Sequence, residues 1–322
     1  MYDATVVGGG PAGLSAAMWL ARYRRKVLML DSGTYRNASV EYMHGYLGSD
    51  PAVPAEFRKR ARAELFRYEG FELQEATATS VTRTCDGFSL KAQDATHESA
   101  RLVLATGVVD QFPQVENFFE HYGASVFHCP SCDGYEASGR PVVVFGWSEQ
   151  VVGFVLGLFD WASSITVVTD GRPFEGDARC RVALERAGVD VLEDDALSLE
   201  GSRGDLRQVT LRGGQSIDCE LAFFTIAHEP VTGLAEQLGC ARTDDGYLKV
   251  DAEFQTTTSG VFAAGDVTPG CQMVQVAAAE GAVAGSMCAL SMHGERGAAN
   301  SPTPAPCPPP TRTRCRSTGS SR

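Results

Sequence analysis

Positive charge is in short supply in this 322-residue chain, with 28 Lys and Arg against 40 Asp and Glu and a net charge of −12. That deficit excludes nucleic acid or anionic membrane as the main partner, because both are held by lysine and arginine set against phosphate. An unbroken apolar run long enough to span a bilayer is also missing. The longest candidate, Val142 to Ala162, is interrupted by Gly146, Glu149, Gln150, Gly153 and Asp160, which fits strand, turn and helix and predicts no membrane segment. Neither a basic leader nor an apolar signal segment precedes the first strand, so a cytoplasmic protein is expected. There is no second C-x-x-C either. Ten cysteines, among them Cys180, Cys219 and Cys240 scattered singly, suit reduced thiols around one reactive pair better than a disulfide framework or a zinc site, and no metal is expected.

What is present describes an ordinary α/β chain, long enough for two domains: 43% hydrophobic residues, 21% charged and 34 glycines. Its most informative segment is Cys129-Pro130-Ser131-Cys132-Asp133-Gly134, two thiols one turn apart with a carboxylate beside them. Such thiols can close a disulfide with little strain, one attacking a partner sulfur and the other resolving the mixed disulfide. Asp133 is placed to shuttle the proton that a departing thiolate needs. Half of a zinc site and two unrelated buried thiols are the plainer alternatives. His128 is either a cation that depresses the Cys129 thiol or a solvent-exposed or packed histidine.

Secondary-structure signals frame that segment. Ala4 to Val7 is an apolar strand that runs into Gly8-Gly9-Gly10-Pro11-Ala12-Gly13, then a helix ending near Tyr23, then a strand from Lys26 to Leu30 closed by Asp31. This is a βαβ unit with a G-x-G-x-x-G fingerprint and an acid about 20 residues further on. Its glycines make a tight turn, let backbone approach pyrophosphate and bring helix against strand, while the helix N-terminus offers free N–H groups to phosphate. A helix is expected from about Ala55 to Tyr68, with Arg58, Lys59, Arg60, Arg62 and Arg67 on a solvated face. Antiparallel strands are expected over Thr79 to Arg83 and Phe88 to Ala92, and the strand Arg101 to Ala105 ends in a Thr106-Gly107 turn. A second βαβ unit starts at Pro141, with strand Val142 to Phe145, helix Glu149 to Trp161 and strand Ile165 to Thr169. Gly260 to Asp266 reads as a buried strand ending in glycine and carboxylate, followed by an Ala- and Gly-rich helix from Val274 to Leu290 whose small residues suit close packing on a flat ligand or a neighbouring helix. Beyond His293, six prolines fall between Pro302 and Pro310, and the tail 294–322 is expected to be disordered, with Cys307 and Cys315 as unrelated thiols.

Taken together, Gly8 to Gly13, Cys129 to Gly134 and Gly260 to Asp266 resemble the low-molecular-weight thioredoxin reductase family of FAD-dependent pyridine nucleotide-disulfide oxidoreductases, over roughly residues 1 to 292. The resemblance implies an α/β fold of two Rossmann-like domains, for FAD and NAD(P), the second inserted in the first, with small antiparallel β elements. The FAD-binding domain would comprise 1–109 and 236–293, and the inserted domain 110–235 would carry the thiol pair. Cys132 would face the flavin, Cys129 would exchange with the partner disulfide, and Asp133 would donate the proton. The resemblance sets Gly8, Gly10, Gly13 and Asp31, with Pro11 and Ala12 in the same loop, against the adenosine and pyrophosphate. Asp266 and Gln272, with Gly265 and Met273 beside them, fall to the ribityl chain and isoalloxazine, and Thr106-Gly107 to the turn beneath the cofactor. A thioredoxin-like protein or a small dithiol or disulfide would be the substrate, and a homodimer the assembly.

The second nucleotide unit departs from that pattern. Where the family has another glycine fingerprint, this chain reads Gly146-Trp147-Ser148-Glu149-Gln150-Val151, which puts side chains where backbone should approach phosphate and a carboxylate at an anion site. Thr169-Asp170-Gly171-Arg172 follows the next strand in place of paired basic residues, so Asp170 would repel a 2′-phosphate yet could accept a ribose hydroxyl. Use of NADPH or NADH is therefore left open. If neither serves, the electron path ends on oxygen, as in a dithiol oxidase, or on an external carrier. A flavin-binding regulator without turnover is the alternative of a different class, opposed by the intact Cys129, Cys132 and Asp133. His44 and Trp147 either line the flavin and the altered pocket or pack in the core, core packing being preferred.

Overall fold

The computed structural model describes residues 1–293, so the expectations for the tail 294–322 and for Cys307 and Cys315 lie outside the described residues. In chain order, β1 (Tyr2–Val7), α1 (Pro11–Arg22), β2 (Val27–Asp31), α2 (Pro54–Leu65) and β3 (Phe71–Glu75) lead into β4 (Ala78–Arg83), β5 (Phe88–Ala92), β6 (Ala95–Leu104) and β7 (Val108–Asp110). The middle of the chain forms α3 (Phe118–His121), β8 (Val126–Phe127), α4 (Pro130–Asp133), β9 (Pro141–Phe145), α5 (Gln150–Leu158), β10 (Ser164–Val168), α6 (Ala178–Arg186) and β11 (Asp190–Leu192). It continues through β12 (Ala196–Ser202), β13 (Asp205–Leu211), β14 (Ser216–Asp218), β15 (Leu221–Phe224) and β16 (His228–Pro230). α7 (Gly233–Gln237), β17 (Val261–Ala263) and α8 (Val274–Leu290) complete it.

These elements build two sheet-and-helix bodies. In the first, a seven-stranded sheet has the order β3-β2-β1-β6-β5-β4, with β17 also on β6. β6 is longer than the Arg101 to Ala105 strand expected from sequence because it serves two partners along one edge. Its first half pairs antiparallel with β5 and its second half parallel with β17. The second body holds a parallel sheet in the order β11-β10-β9-β15-β8. Side chains alternate across these strands, so each sheet has a buried apolar cluster on both faces. In the second body, Val142, Val144, Ile165 and Val167 pack toward α5 and α6, while Val143, Phe145 and Val168 pack toward the three-stranded sheet β12-β13-β14. Two strands cross between the bodies side by side. β7 and β16 pair antiparallel, with His228 opposite Asp110 and Pro230 opposite Val108.

Gly281 and Gly285 of α8 face a helix, while Ala277 of the same helix also lines the cleft between the two bodies. A Cβ on Gly281 would come within 2.0 Å of the Ala12 carbonyl oxygen, and one on Gly285 within 2.4 Å of that of Ala16, so α8 and α1 meet backbone to backbone. α1 is thereby pinned against β1 and β6 with its N-terminus at the carboxyl ends of the strands. Ala264, Ala277, Ala284 and Cys288 seal the contact from water. Because α8 cannot retreat without opening that core, Gly285→Leu is expected to destabilise the chain by about 3 kcal/mol, measured by urea unfolding. A loss below about 1 kcal/mol would mean that the helices separate easily.

No helix among the described residues is long and apolar enough to cross a membrane.

Candidate active site

The strand order of the first sheet reverses between β1 and β6, and at that point a cleft of about 740 Å³ opens between the two bodies. Its walls carry Gly8, Gly10, Pro11, Ala12, Asp31, Thr106, Gly107, Gly265, Asp266, Gln272 and Met273 from the first body and Cys129, Cys132 and Asp133 from the second. Gly13 does not line it. A Cβ there would lie 1.8 Å from the Gly8 carbonyl oxygen, so Gly13 serves helix–strand contact behind the wall.

The fingerprint loop is shaped by what glycine leaves out. Gly8 has φ +109°, and a Cβ on it would meet the Ala105 carbonyl oxygen at 2.2 Å. Gly10 faces open space, with nothing within 4 Å of where its Cβ would be. Pro11 then starts α1 at a position where no N–H is needed, leaving the next amides of the first turn free. An exposed backbone cradle at a helix N-terminus and a buried carboxylate at the end of the next strand suit the pyrophosphate and ribose of a dinucleotide such as FAD. Asp31 is only 1% exposed and already accepts from the Gly33 amide at 3.1 Å, the Tyr35 hydroxyl at 2.6 Å and the guanidinium of Arg62. The expected solvated basic face on α2 therefore needs correction. Arg62 turns inward to Asp31, and Arg58, 8% exposed, stacks over Tyr35 with its guanidinium 3.9 Å from the ring centre and donates to Asn37. A run of basic residues on a helix shows no periodic signal for which of them fold back onto a distant loop.

At the other end of this wall the sequence reading missed Arg36. Among the described residues it is the one Lys or Arg that lines the cleft. Its guanidinium forms a two-pronged ion pair with Asp110, at 2.7 and 2.6 Å, and also donates to Asp266 at 2.9 Å and to Gln272 Oε1 at 2.6 Å. Gln272 in turn donates to the Tyr247 hydroxyl at 3.1 Å, which lies 2.6 Å from His228 Nε2. The Thr106 hydroxyl donates to the Val231 carbonyl at 2.6 Å, tying the Thr106-Gly107 turn to the returning strand. The wall beneath Asp266 and Gln272 is thus bonded to both crossing strands. Gln275, the second residue of α8, also lines the cleft and was not singled out from sequence.

On the opposite wall a disulfide joins Cys129 and Cys132, whose Cα atoms are 5.2 Å apart. Pro130 starts the short helix α4 between them, and the Cys132 and Asp133 amides both donate to the Cys129 carbonyl. Gly134 is required after it. A Cβ there would meet the Pro130 carbonyl oxygen at 2.4 Å and the Trp161 ring at 2.5 Å. Asp133 is 7% exposed, and its carboxyl is pushed up to about 7 by burial and by the charge of Glu136. A carboxyl held there both gives and takes protons at neutral pH. His128 resolves to the packed alternative. Burial and the nearby Arg36 charge push it down to about 4, and its Nδ1 lies 3.2 Å from the Tyr122 hydroxyl, so it brings no cation to Cys129. His44 is not core but part of the cleft wall, whereas Trp147 is partly buried outside it.

The altered nucleotide unit lies at the carboxyl ends of β9 and β10. Arg172 stacks on the Trp147 indole, its guanidinium carbon 4.0 Å from the ring centre, and the Glu175 amide donates to the Trp147 carbonyl at 2.8 Å. Val151 is fully buried, and a Cβ on Gly146 would touch it at 2.7 Å. Asp170, in a left-handed conformation with φ 55°, has its carboxyl raised by burial and by Asp195. The loops after the two strands are therefore tied to each other across the space between them.

A dinucleotide cradle and a dithiol pair on facing walls of one cleft define a flavoprotein disulfide oxidoreductase. Comparison with known proteins agrees: the chain belongs to the pyridine nucleotide-disulphide oxidoreductase family, whose model matches residues 2–281. It is 33% identical to the thioredoxin reductase tcpT of Claviceps purpurea (strain 20.1), over 91% of this chain and 94% of that protein. Against a thioredoxin reductase of Gibberella zeae the identity is 32%, over 91% and 98%. Among solved structures, the putative thioredoxin reductase TrxB from Bacillus anthracis superposes with a TM-score of 0.86 at 28% identity, covering 92% of this chain and all, 100%, of that one. FAD is the cofactor this family membership implies.

Folding raises the Asp133 pKa, so the folded chain keeps a proton that the unfolded chain releases. Stability attached to this group is present at acid pH and is lost as pH rises through about 7. Asp133→Asn should therefore flatten the fall in urea-unfolding midpoint between about pH 4 and pH 8, gaining on the parent chain at the alkaline end. Identical slopes for the two proteins would show that the carboxyl is not desolvated.

Proposed function

We propose that the chain is an FAD-dependent dithiol/disulfide oxidoreductase that exchanges electrons between the flavin and the Cys129–Cys132 pair, and between that pair and a protein or small-molecule dithiol or disulfide. The observation that carries this reading is the shared cleft: fingerprint loop on one wall, disulfide and buried Asp133 on the other. Residues 1–109 and 236–293 would hold the cofactor, with Gly8, Gly10, Pro11 and Ala12 at its pyrophosphate, Asp31 at the adenosine ribose, and Thr106, Gly107, Gly265, Asp266, Gln272 and Met273 along the remainder. Gly13 would support that loop from behind. Residues 110–235 would present the thiol pair. When bound, FAD supplies a two-electron donor or acceptor.

The chain's own residues do the sulfur chemistry. Cys129 attacks the partner sulfur as a thiolate and forms a mixed disulfide, which Cys132 resolves by displacing the partner thiol. Asp133 gives a proton to the departing thiolate or takes one from the entering thiol, as its raised pKa allows. A thioredoxin-like protein is the partner suggested by the names of the relatives, and a homodimer is the expected assembly.

A second reading concerns direction. The Arg172–Trp147 stack and the Glu175–Trp147 bond tie together the loops at the carboxyl ends of β9 and β10, where a pyridine nucleotide would bind, and the acids Asp170 and Asp195 would oppose a phosphate there. These features favour a dithiol oxidase that takes electrons from a dithiol and passes them to oxygen or to an external carrier. Anaerobic titration of the flavoprotein distinguishes the cases. A small dithiol should bleach the flavin band while NADH and NADPH leave it unchanged, and air should restore the colour with formation of peroxide. Bleaching by NADPH within seconds would sink the oxidase reading. If Cys132→Ser bleaches as fast as the parent protein, the thiol pair is not on the electron path and the non-catalytic regulator is the better account.

A further inference from the structure

Closing the Cys129–Cys132 pair from dithiol to disulfide removes two electrons and two protons from the two thiols. The flavin accounts for the electrons. The protons need a route of their own, because Asp133 is only 7% exposed. Two nearby titratable groups cannot supply it. Tyr122, whose phenol senses the Asp133 charge, is pushed well up by burial and stays protonated, and His128 on its hydroxyl is held neutral.

A different set of groups leads outward. Glu136 follows Asp133 by one helical turn, and its charge reaches the Asp133 carboxyl. One of its oxygens, Oε2, is buried with no hydrogen-bond partner. The other, Oε1, lies 3.5 Å from His44 Nε2. His44 belongs to the cleft wall, and its second nitrogen, Nδ1, lies 3.3 Å from Asp50 Oδ1. The Asp50 side chain is 53% exposed to water. An imidazole takes a proton at one nitrogen and releases another from the opposite one, which is what a carboxylate on each side of the ring requires. Both separations are long for direct transfer, and catalytic contacts are commonly this loose before substrate binds.

We propose that Glu136, His44 and Asp50 form a proton relay joining the buried Asp133 carboxyl to bulk water. In the oxidising direction FAD, when bound, would take the two electrons and one proton from the thiols, and the second proton passes from Asp133 through Glu136 and His44 to Asp50 and solvent. In the reducing direction the same path brings that proton in. Neither Glu136 nor His44 touches the sulfurs, so both act through Asp133. The inference rests on the dithiol/disulfide reading given above.

Anaerobic stopped-flow mixing of the flavoprotein with dithiothreitol, followed by flavin bleaching in light and heavy water, tests it. Glu136→Gln and His44→Ala should each slow bleaching by at least about 10-fold near neutral pH, with a larger solvent isotope effect and an unchanged flavin spectrum and circular dichroism. Imidazole at tens of millimolar should restore most of the rate to His44→Ala and none to Glu136→Gln. Rates equal to the parent protein in both variants overturn the relay, as does a slow His44→Ala that imidazole leaves slow, since that marks a structural role. A parent protein that dithiothreitol does not bleach overturns the exchange reading itself.

Discussion

Three backbones cross within contact of one another at the head of the cleft, and the rest of the structure depends on that approach. Gly8 passes the Ala105 carbonyl, Gly13 passes Gly8, and Gly281 with Gly285 lets α8 lie on Ala12 and Ala16. A side-chain carbon at any of these points would have to overlap a backbone atom. Because none is there, α1 starts at the carboxyl ends of β1 and β6 with its amides open to the cleft, and the same contact buries α8 in the core of the first body.

The cleft itself is a product of connectivity. β7 leaves the first body and β16 returns to it as an antiparallel pair, so the second body hangs on two adjacent strands directly beside the fingerprint loop. Arg36 bonds Asp110 on one of those strands to Asp266 and Gln272 on the first body, and Thr106 is bonded to Val231 just beyond the other. With the crossing held in this way, α4 presents Cys129 and Cys132 toward the wall that carries Gly10 and Asp266. Two chemistries far apart in the chain become neighbours because the strands between them pair.

The charge balance takes on a more specific meaning at this site. A chain with net charge −12 places one arginine of its described residues in the cleft and pairs it with two carboxylates and an amide. Asp31 is matched by Arg62 and Tyr35, whereas Asp133 has burial and another acid beside it. Two carboxyls of one cleft are thus set to opposite purposes. The first accepts from Gly33, Tyr35 and Arg62, and the second has its carboxyl raised to about 7 by burial and by Glu136.

Much of this was legible in the residues. Gly8-x-Gly10-x-x-Gly13, the strand before it and Asp31 after it specify a βαβ unit through local turn geometry and period alone, and Cys129-Pro130-Ser131-Cys132 sets two sulfurs one turn apart whatever surrounds them. The helix Val274–Leu290 was likewise readable from composition, with a helix as one of its two possible neighbours. Arg36, Arg62, Glu136 and His44 carried no such signal, since each is a single polar residue in a loop or on a helix whose partner lies far along the chain or across the cleft. The raised pKa of Asp133 and the lowered pKa of His128 were equally out of reach, because both depend on how much water the fold removes from them. Sequence by itself determined the local units and their chemistry, since these rest on backbone conformation within a few residues. Only the tertiary structure decided which side chains meet across the cleft and which of them keep a proton, because distance and desolvation exist only once the two bodies are folded against each other.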